Sequence, residues 1–235
     1  MRQLKYGKGR GRSTATLVSL AAAVLAMVWI VGTPAPAQAN LVTNGSFEEG
    51  TNKPTSNFTT LSAGNTDITG WTVTSGSVDW IRTYWTAQQG SYSLDLSGNS
   101  AGTIAATSFA TTSGNWYEVD FWMSANPDSG LGQKDLQVAV SGIPSTENFS
   151  YTVTSANSLT NMLWALKSMN FQAQSSSTTL SFISLTNSAW GPALDNVSVE
   201  ELYGGGAGIP EPVTMAGLVL GLGGLARYVR RRQRA

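Results

Sequence analysis

Trp116-Tyr117-Glu118-Val119-Asp120-Phe121-Trp122-Met123 decides the fold. Tyr117, Val119, Phe121 and Met123 fall on one side of a period-two pattern, and Glu118, Asp120 and Trp122 fall on the other. Only an extended strand separates those two sets, because successive side chains of a strand point to opposite faces. The same alternation recurs outward from this segment. Leu136, Val138 and Val140 alternate with Gln137 and Ala139, and Thr179-Leu180-Ser181-Phe182 and Val197-Ser198-Val199 repeat it. Ser97-Gly98-Asn99, Ser113-Gly114-Asn115 and Asn126-Pro127-Asp128-Ser129-Gly130 read as turns between strands. Leu159 to Met169 is the one stretch of this region that suits a helical turn or two. Strands joined by polar turns, without a long amphipathic helix, predict an all-β domain of two packed antiparallel sheets.

Both ends of the chain fall outside this pattern. Arg2, Lys5, Lys8, Arg10 and Arg12 precede an apolar run from Leu17 to Gly32, then Pro34, Pro36 and a small-x-small Ala37-Gln38-Ala39. That order is a secretory signal, and it predicts removal of residues 1–39 by signal peptidase so that the mature chain starts at Asn40. At the other end, Gly204-Gly205-Gly206-Ala207-Gly208 reads as a flexible linker within residues 203–208. Pro210-Glu211-Pro212, an apolar stretch from Val213 to Ala226, and Arg227, Arg230, Arg231 and Arg232 follow. The arginines belong on the cytoplasmic side, which places everything before Pro210 outside. The apolar stretch is short against the ~20 residues of a permanent span. Residues 209–235 resemble the PEP-CTERM sorting signal of Gram-negative bacteria. That resemblance implies transient anchoring in the inner membrane and processing at Pro-Glu-Pro by a membrane protease, an exosortase.

Between Asn40 and Ile209 the basic residues are Lys53, Arg82, Lys134 and Lys167, against thirteen acidic ones, a net charge of −9. An exported domain of that charge is unsuited to nucleic acid or anionic lipid. The chain contains no cysteine and no histidine. Disulfide stapling, Ser-His-Asp and Cys-His catalysis and the usual zinc sites are therefore excluded.

Residues 40–202 resemble the choice-of-anchor C family of exported bacterial domains through four ordered segments. These are Asn40-Leu41-Val42-Thr43-Asn44-Gly45-Ser46-Phe47-Glu48; Ile68-Thr69-Gly70-Trp71-Thr72-Val73 with Gly76-Ser77-Val78-Asp79-Trp80-Ile81; Gly90-Ser91-Tyr92-Ser93-Leu94-Asp95-Leu96-Ser97-Gly98; and Trp190-Gly191-Pro192-Ala193-Leu194-Asp195-Asn196-Val197-Ser198-Val199. The resemblance implies a galactose-binding-like jelly roll, a class that includes many carbohydrate-binding modules. In such folds the first and last strands lie side by side, so the opening and closing segments meet. Glu48 and Asp195 are then candidate ligands of one structural calcium, completed by backbone carbonyls. The competing reading is that both carboxylates accept backbone amides and hold the sheet register.

Seven tryptophans fall in this region: Trp71, Trp80, Trp85, Trp116, Trp122, Trp164 and Trp190. Exposed rings stack on sugars, whereas buried ones fill a core that has no disulfides. Trp71 reads as core. Trp80, Arg82, Tyr84 and Trp85 form the candidate glycan platform, and Trp122 stands on the polar side of its strand. Asp79, Asp95, Glu118 and Asp120 are the carboxylates from which a hydrolase would draw its pair. The expectation is a non-enzymatic surface or matrix protein that binds extracellular polysaccharide. The alternatives are a structural surface protein without a ligand and a small carboxylate-based glycan hydrolase.

Overall fold

A computed structural model describes residues 39–202 apart from Ser145. The expected signal peptide, the linker and the sorting tail with Pro210, Glu211, Pro212, Arg227, Arg230, Arg231 and Arg232 lie outside the described residues. Among the described residues there are thirteen strands: β1 (Phe58–Ser62), β2 (Trp71–Ser75), β3 (Ser77–Ile81), β4 (Ser93–Asp95), β5 (Thr103–Ala106), β6 (Phe109–Ala110), β7 (Trp116–Ala125), β8 (Gly132–Val140), β9 (Glu147–Val153), β10 (Ala165–Gln172), β11 (Ser177–Thr178), β12 (Leu180–Ser184) and β13 (Pro192–Leu202). A six-stranded sheet runs β1-β3-β4-β13-β7-β10, a five-stranded sheet runs β2-β5-β12-β8-β9, and β6 pairs with β11. The strand pairings are antiparallel throughout. The all-β sandwich of two antiparallel sheets expected from the periodicity is therefore present.

The alternation works as its apolar faces require. Tyr117, Val119, Phe121 and Met123 of β7 are buried, as are Leu136, Val138 and Val140 of β8. They meet between the sheets with Trp71, Phe182 and Leu180. A run of aromatic contacts crosses the core from Phe47 to Trp71 (5.1 Å), Trp71 to Phe182 (6.2 Å), Phe182 to Phe121 (5.1 Å) and Phe121 to Phe149 (5.0 Å). Large rings here supply the buried area that disulfides would otherwise supplement. Trp71 is core, as its place in a strand pattern suggested. The segment expected to favour a helical turn instead runs into β10, and Pro127–Ser129 forms the one short 3-10 turn among the described residues.

The two ends of the described stretch meet. Leu41 donates to the Val199 carbonyl (2.9 Å), Val197 donates to the Gly45 carbonyl (2.8 Å), and the Asn40 side chain bonds Val197 and Val199. The opening segment lies along β13 as irregular backbone rather than as a strand. Gly45 is required there, because a Cβ at that position would overlap the Val197 carbonyl. The indoles of Trp71 and Trp80 donate to the carbonyls of Asn44 (3.0 Å) and Phe47 (3.1 Å), which ties the opening segment to the core. Among the described residues the main core runs from Val42 to Val199, and the two ends of that stretch lie side by side.

Candidate functional site: the outer face of the six-stranded sheet

The predicted platform divides in the structure. Trp80 is fully buried and Trp85 is 3% exposed. Neither can stack on a sugar. Every residue of β3, Trp80 included, is buried, because both faces of this strand are covered. Val78 and Trp80 face the main core. Ile81 faces a second apolar cluster with Trp85, Met162 and Ala193, against which Tyr84, Leu159 and Trp164 pack. The Trp85 indole donates to Ser93 Oγ (2.8 Å). A period-two pattern cannot announce a strand buried on both sides, and this is why Trp80 read as surface.

Arg82 and Tyr84 remain half-buried. The Arg82 guanidinium lies 5.7 Å from the Tyr92 ring centre and reaches the Pro54 and Thr55 carbonyls at 3.4 Å. Its charge is thereby tied to the backbone of residues 54–55. Tyr84 packs edge-on to Phe58 (5.3 Å), and its hydroxyl donates to Asp128. Burial, then the Asp128 carboxylate, and then the Asp95 and Asp79 charges push the phenol up to about 12.

Glu48 and Asp195 converge on one loop. Glu48 Oε1 accepts from the Ser91 and Tyr92 amides (2.8 Å each). Asp195 Oδ2 accepts from the Gln88 and Gln89 amides (2.8 and 3.0 Å), and its Oδ1 accepts from Asn196 (2.7 Å). The turn between these amides is Gly90, at φ +67°, where an added Cβ would overlap Glu48 Oε1. The opening and closing motifs thus clasp the Gln88–Tyr92 loop through backbone amides, the second of the two readings weighed for these carboxylates. Burial raises the Asp195 carboxyl to about 7 against the pull of those amides, and the Glu48 charge adds to the rise. The side-chain oxygen of Gln88 is buried and has no hydrogen-bond donor.

Of the four carboxylates weighed for hydrolysis, Asp79 and Asp95 stand directly opposite on β3 and β4. Both are buried. Asp95 Oδ1 accepts from Ser97 (2.9 Å) and Gly191 (3.0 Å), and Oδ2 accepts from Asn126 Nδ2 (3.0 Å). Thr60 donates to Asp79 (2.6 Å). Their oxygens serve strand ends and turns, and a glycosidic bond could not reach between them. Glu118 and Asp120 share the outer face of β7, where Asp120 accepts from Ser168 of β10.

That outer face carries the accessible aromatic chemistry. Trp116 is 48% exposed at the start of β7, directly opposite Gln172 of β10 and Leu202 of β13. It flanks a cleft of about 350 Å³ at the edge of the sandwich, lined by Met169, Asn170, Phe171, Gln172 and Gln174 on the β10 side and by Val140, Ile143, Thr146 and Glu147 of the β8–β9 hairpin of the other sheet. Gln172 is held by a bond from Nε2 to the Gly114 carbonyl (2.9 Å), and Gln174 Nε2 donates to the Gln172 carbonyl (3.0 Å). An exposed indole beside planar amides and a carboxylate combines a stacking surface with hydroxyl-reading groups. The sequence signal for this site is faint: Trp116 begins a strand whose even positions are polar.

A stretch of 178 residues is 38% identical to part of Halomucin from Haloquadratum walsbyi (strain DSM 16790 / HBSQ001), covering 74% of this chain and 2% of that protein. The chain therefore spans a very small part of that relative's length. Among solved structures, the chain is similar to the CBM22-1 xylan-binding domain of Paenibacillus barcinonensis Xyn10C (23% identity, TM-score 0.43, covering 72% of this chain and 97% of that one). It is also similar to TmCBM61, solved in complex with β-1,4-galactotriose (14% identity, TM-score 0.40, covering 70% and 99%). These structural neighbours are carbohydrate-binding modules. The family described as a protein of unknown function, DUF642, matches residues 40–200, most of the chain, and the protein belongs to that family.

Proposed function

We propose that this protein is exported, sorted through its C-terminal tail to the cell surface or extracellular matrix, and binds extracellular polysaccharide there without altering it. The export half of the reading rests on the basic and apolar N-terminal segment, the tail that resembles a PEP-CTERM signal, and the four segments that resemble choice-of-anchor C domains. The binding half rests on one observation, the half-exposed Trp116 set in a cleft with Asn170, Gln172, Gln174 and Glu147. The identity with a segment of a far longer protein supports a module that works in more than one chain context, as its adjacent ends allow.

The test is a pull-down of residues 40–208 with the producing organism's own exopolysaccharide. Saturable binding is expected, weakened at least about tenfold by Trp116→Ala, the size of a central aromatic anchor. No binding by the wild type would leave a structural surface protein without a ligand. Shortening of the glycan with time would reveal a hydrolase instead.

The proposal includes one structural calcium held by Glu48 and Asp195. The chemistry of the site is compatible: two carboxylates converge on one loop, Asp195 is disfavoured as an anion, and the Gln88 side-chain oxygen is buried without a donor. A hard cation takes oxygen ligands of these kinds. The melting midpoint is expected to rise by several degrees between chelator and millimolar Ca²⁺, and Glu48→Gln should abolish the rise. An unchanged midpoint would leave the amide clasp as the whole role of both residues.

A further inference from the structure

Trp116 is not alone on its face of β7. Trp122 lies on the same face, six residues along the strand, which places the two indoles roughly 20 Å apart. Between them, Glu118 and Asp120 point outward. Asn170 and Ser168 stand opposite on β10, with Leu166 beside Trp122, and Glu200 and Ser198 stand opposite on β13. Leu166 is 51% exposed and Trp122 is half-buried. At the far end, the strip is bounded by Trp164, whose indole is fixed by a bond to the Thr86 carbonyl (3.1 Å). The strip is therefore long, with an indole toward each end and hydrogen-bonding side chains between them. It is open beside Trp116 and walled on the β13 side of Trp122 by the Gln88–Gln89 loop, whose amides bond Asp195.

Its charge is of one sign. Glu118 stands directly across from Glu200, an arrangement of like charges that destabilises a sheet and is ordinarily avoided. Asp120 adds a third carboxylate, and the outward positions of β7, β10 and β13 carry no lysine or arginine. The nearby Lys167 pairs with Phe121 on the opposite parity of β10. Carboxylates at such positions accept hydrogen bonds from hydroxyl groups and repel anions.

Building on the polysaccharide-binding reading above, we infer that the ligand is a linear, uncharged polysaccharide chain lying along β7, stacked on Trp116 and Trp122 and hydrogen-bonded by Glu118, Asp120 and Asn170. Two indoles so far apart cannot serve one terminal sugar, so the face takes a chain interior several rings long. The carboxylates between them turn away chains of acidic sugars.

The experiment separates the organism's exopolysaccharide by anion exchange into neutral and acidic fractions and measures the binding of residues 40–208 to each at low salt. The neutral fraction is expected to bind, and partial hydrolysis to single sugars and disaccharides should abolish binding. Trp122→Ala should weaken binding about tenfold. Leu166→Ser, an exposed change at the same end of the strip, should weaken it several-fold without altering the melting curve. Glu118→Lys should raise binding to the acidic fraction. Equal or tighter wild-type binding to the acidic fraction would overturn the inference. So would unchanged affinity in both Trp122→Ala and Leu166→Ser while Trp116→Ala still weakens binding, because the cleft alone would then hold the sugar. Failure of every fraction to bind would instead remove the polysaccharide-binding reading itself.

Discussion

Replacing Trp80 with alanine is expected to lower the unfolding free energy by about 3–5 kcal/mol, the range for deleting a fully buried tryptophan or phenylalanine side chain. The indole fills the core, packs against Tyr92 at 5.4 Å and donates to the Phe47 carbonyl. Its removal therefore leaves both a cavity and an unpaired buried carbonyl, two costs that add. Against a total stability of about 5–15 kcal/mol, the variant should melt roughly 10 °C lower. Urea midpoints of wild type and variant measure the effect. At a temperature where the variant is still folded, its affinity for polysaccharide should match that of the wild type. A loss below about 1 kcal/mol together with lost binding would return Trp80 to the surface platform expected from its sequence context.

The second large effect is on stability against pH. Asp95 and Asp195 both rise from an ordinary 3.8 to about 7, chiefly because burial disfavours the charged form. Burial also raises Asp79. Below about pH 4 these carboxyls are protonated in both the folded and the unfolded chain. Between about pH 4 and 7 the folded chain keeps protons that the unfolded chain has released. The stabilisation is therefore fully present at low pH and is lost as pH rises through 7. Each group contributes on the order of a few kcal/mol to that slope. Asp67 opposes it at the acid end, because hydrogen bonds from Asn65, Asn52 and Thr51 lower its carboxyl below 3.8, and their contribution is lost only as the pH falls below about 4. Urea midpoints in chelator are expected to fall from pH 5 to pH 8.5. Asp95→Asn should flatten the slope, since an amide oxygen still accepts from Ser97 and Gly191. Stability that stays level across this range would show both carboxylates ionised in the folded state.

How legible each feature was depends on how far apart its determinants lie in the chain. β7 and β8 could be read directly, because each buries one face and exposes the other, and the alternation records that local fact. β3 could not, because its second face is covered by Trp85, folded back from the loop that follows the strand, and by Met162, about 80 positions away in sequence. The amides that Glu48 and Asp195 accept come from residues 88–92, more than 40 positions from Glu48 and more than 100 from Asp195. Their convergence was anticipated through family resemblance, whereas their bonding partners emerged only from the fold.

The sequence by itself determined the all-β class, the pairing of the opening and closing motifs, the acidic charge and the exclusion of histidine and cysteine chemistry. The pairing of the two motifs is what the family resemblance implies; the rest follows from composition and short-range periodicity. Only the tertiary structure decided which tryptophans face water. Exposure is a property of what packs over a residue, and here β13 enters the middle of the six-stranded sheet while loops 82–92 and 154–164 cover one half of its outer face. The half left open carries Trp116, with Trp122 at its margin; the covered half holds Trp85, while Trp80 points the other way, into the main core.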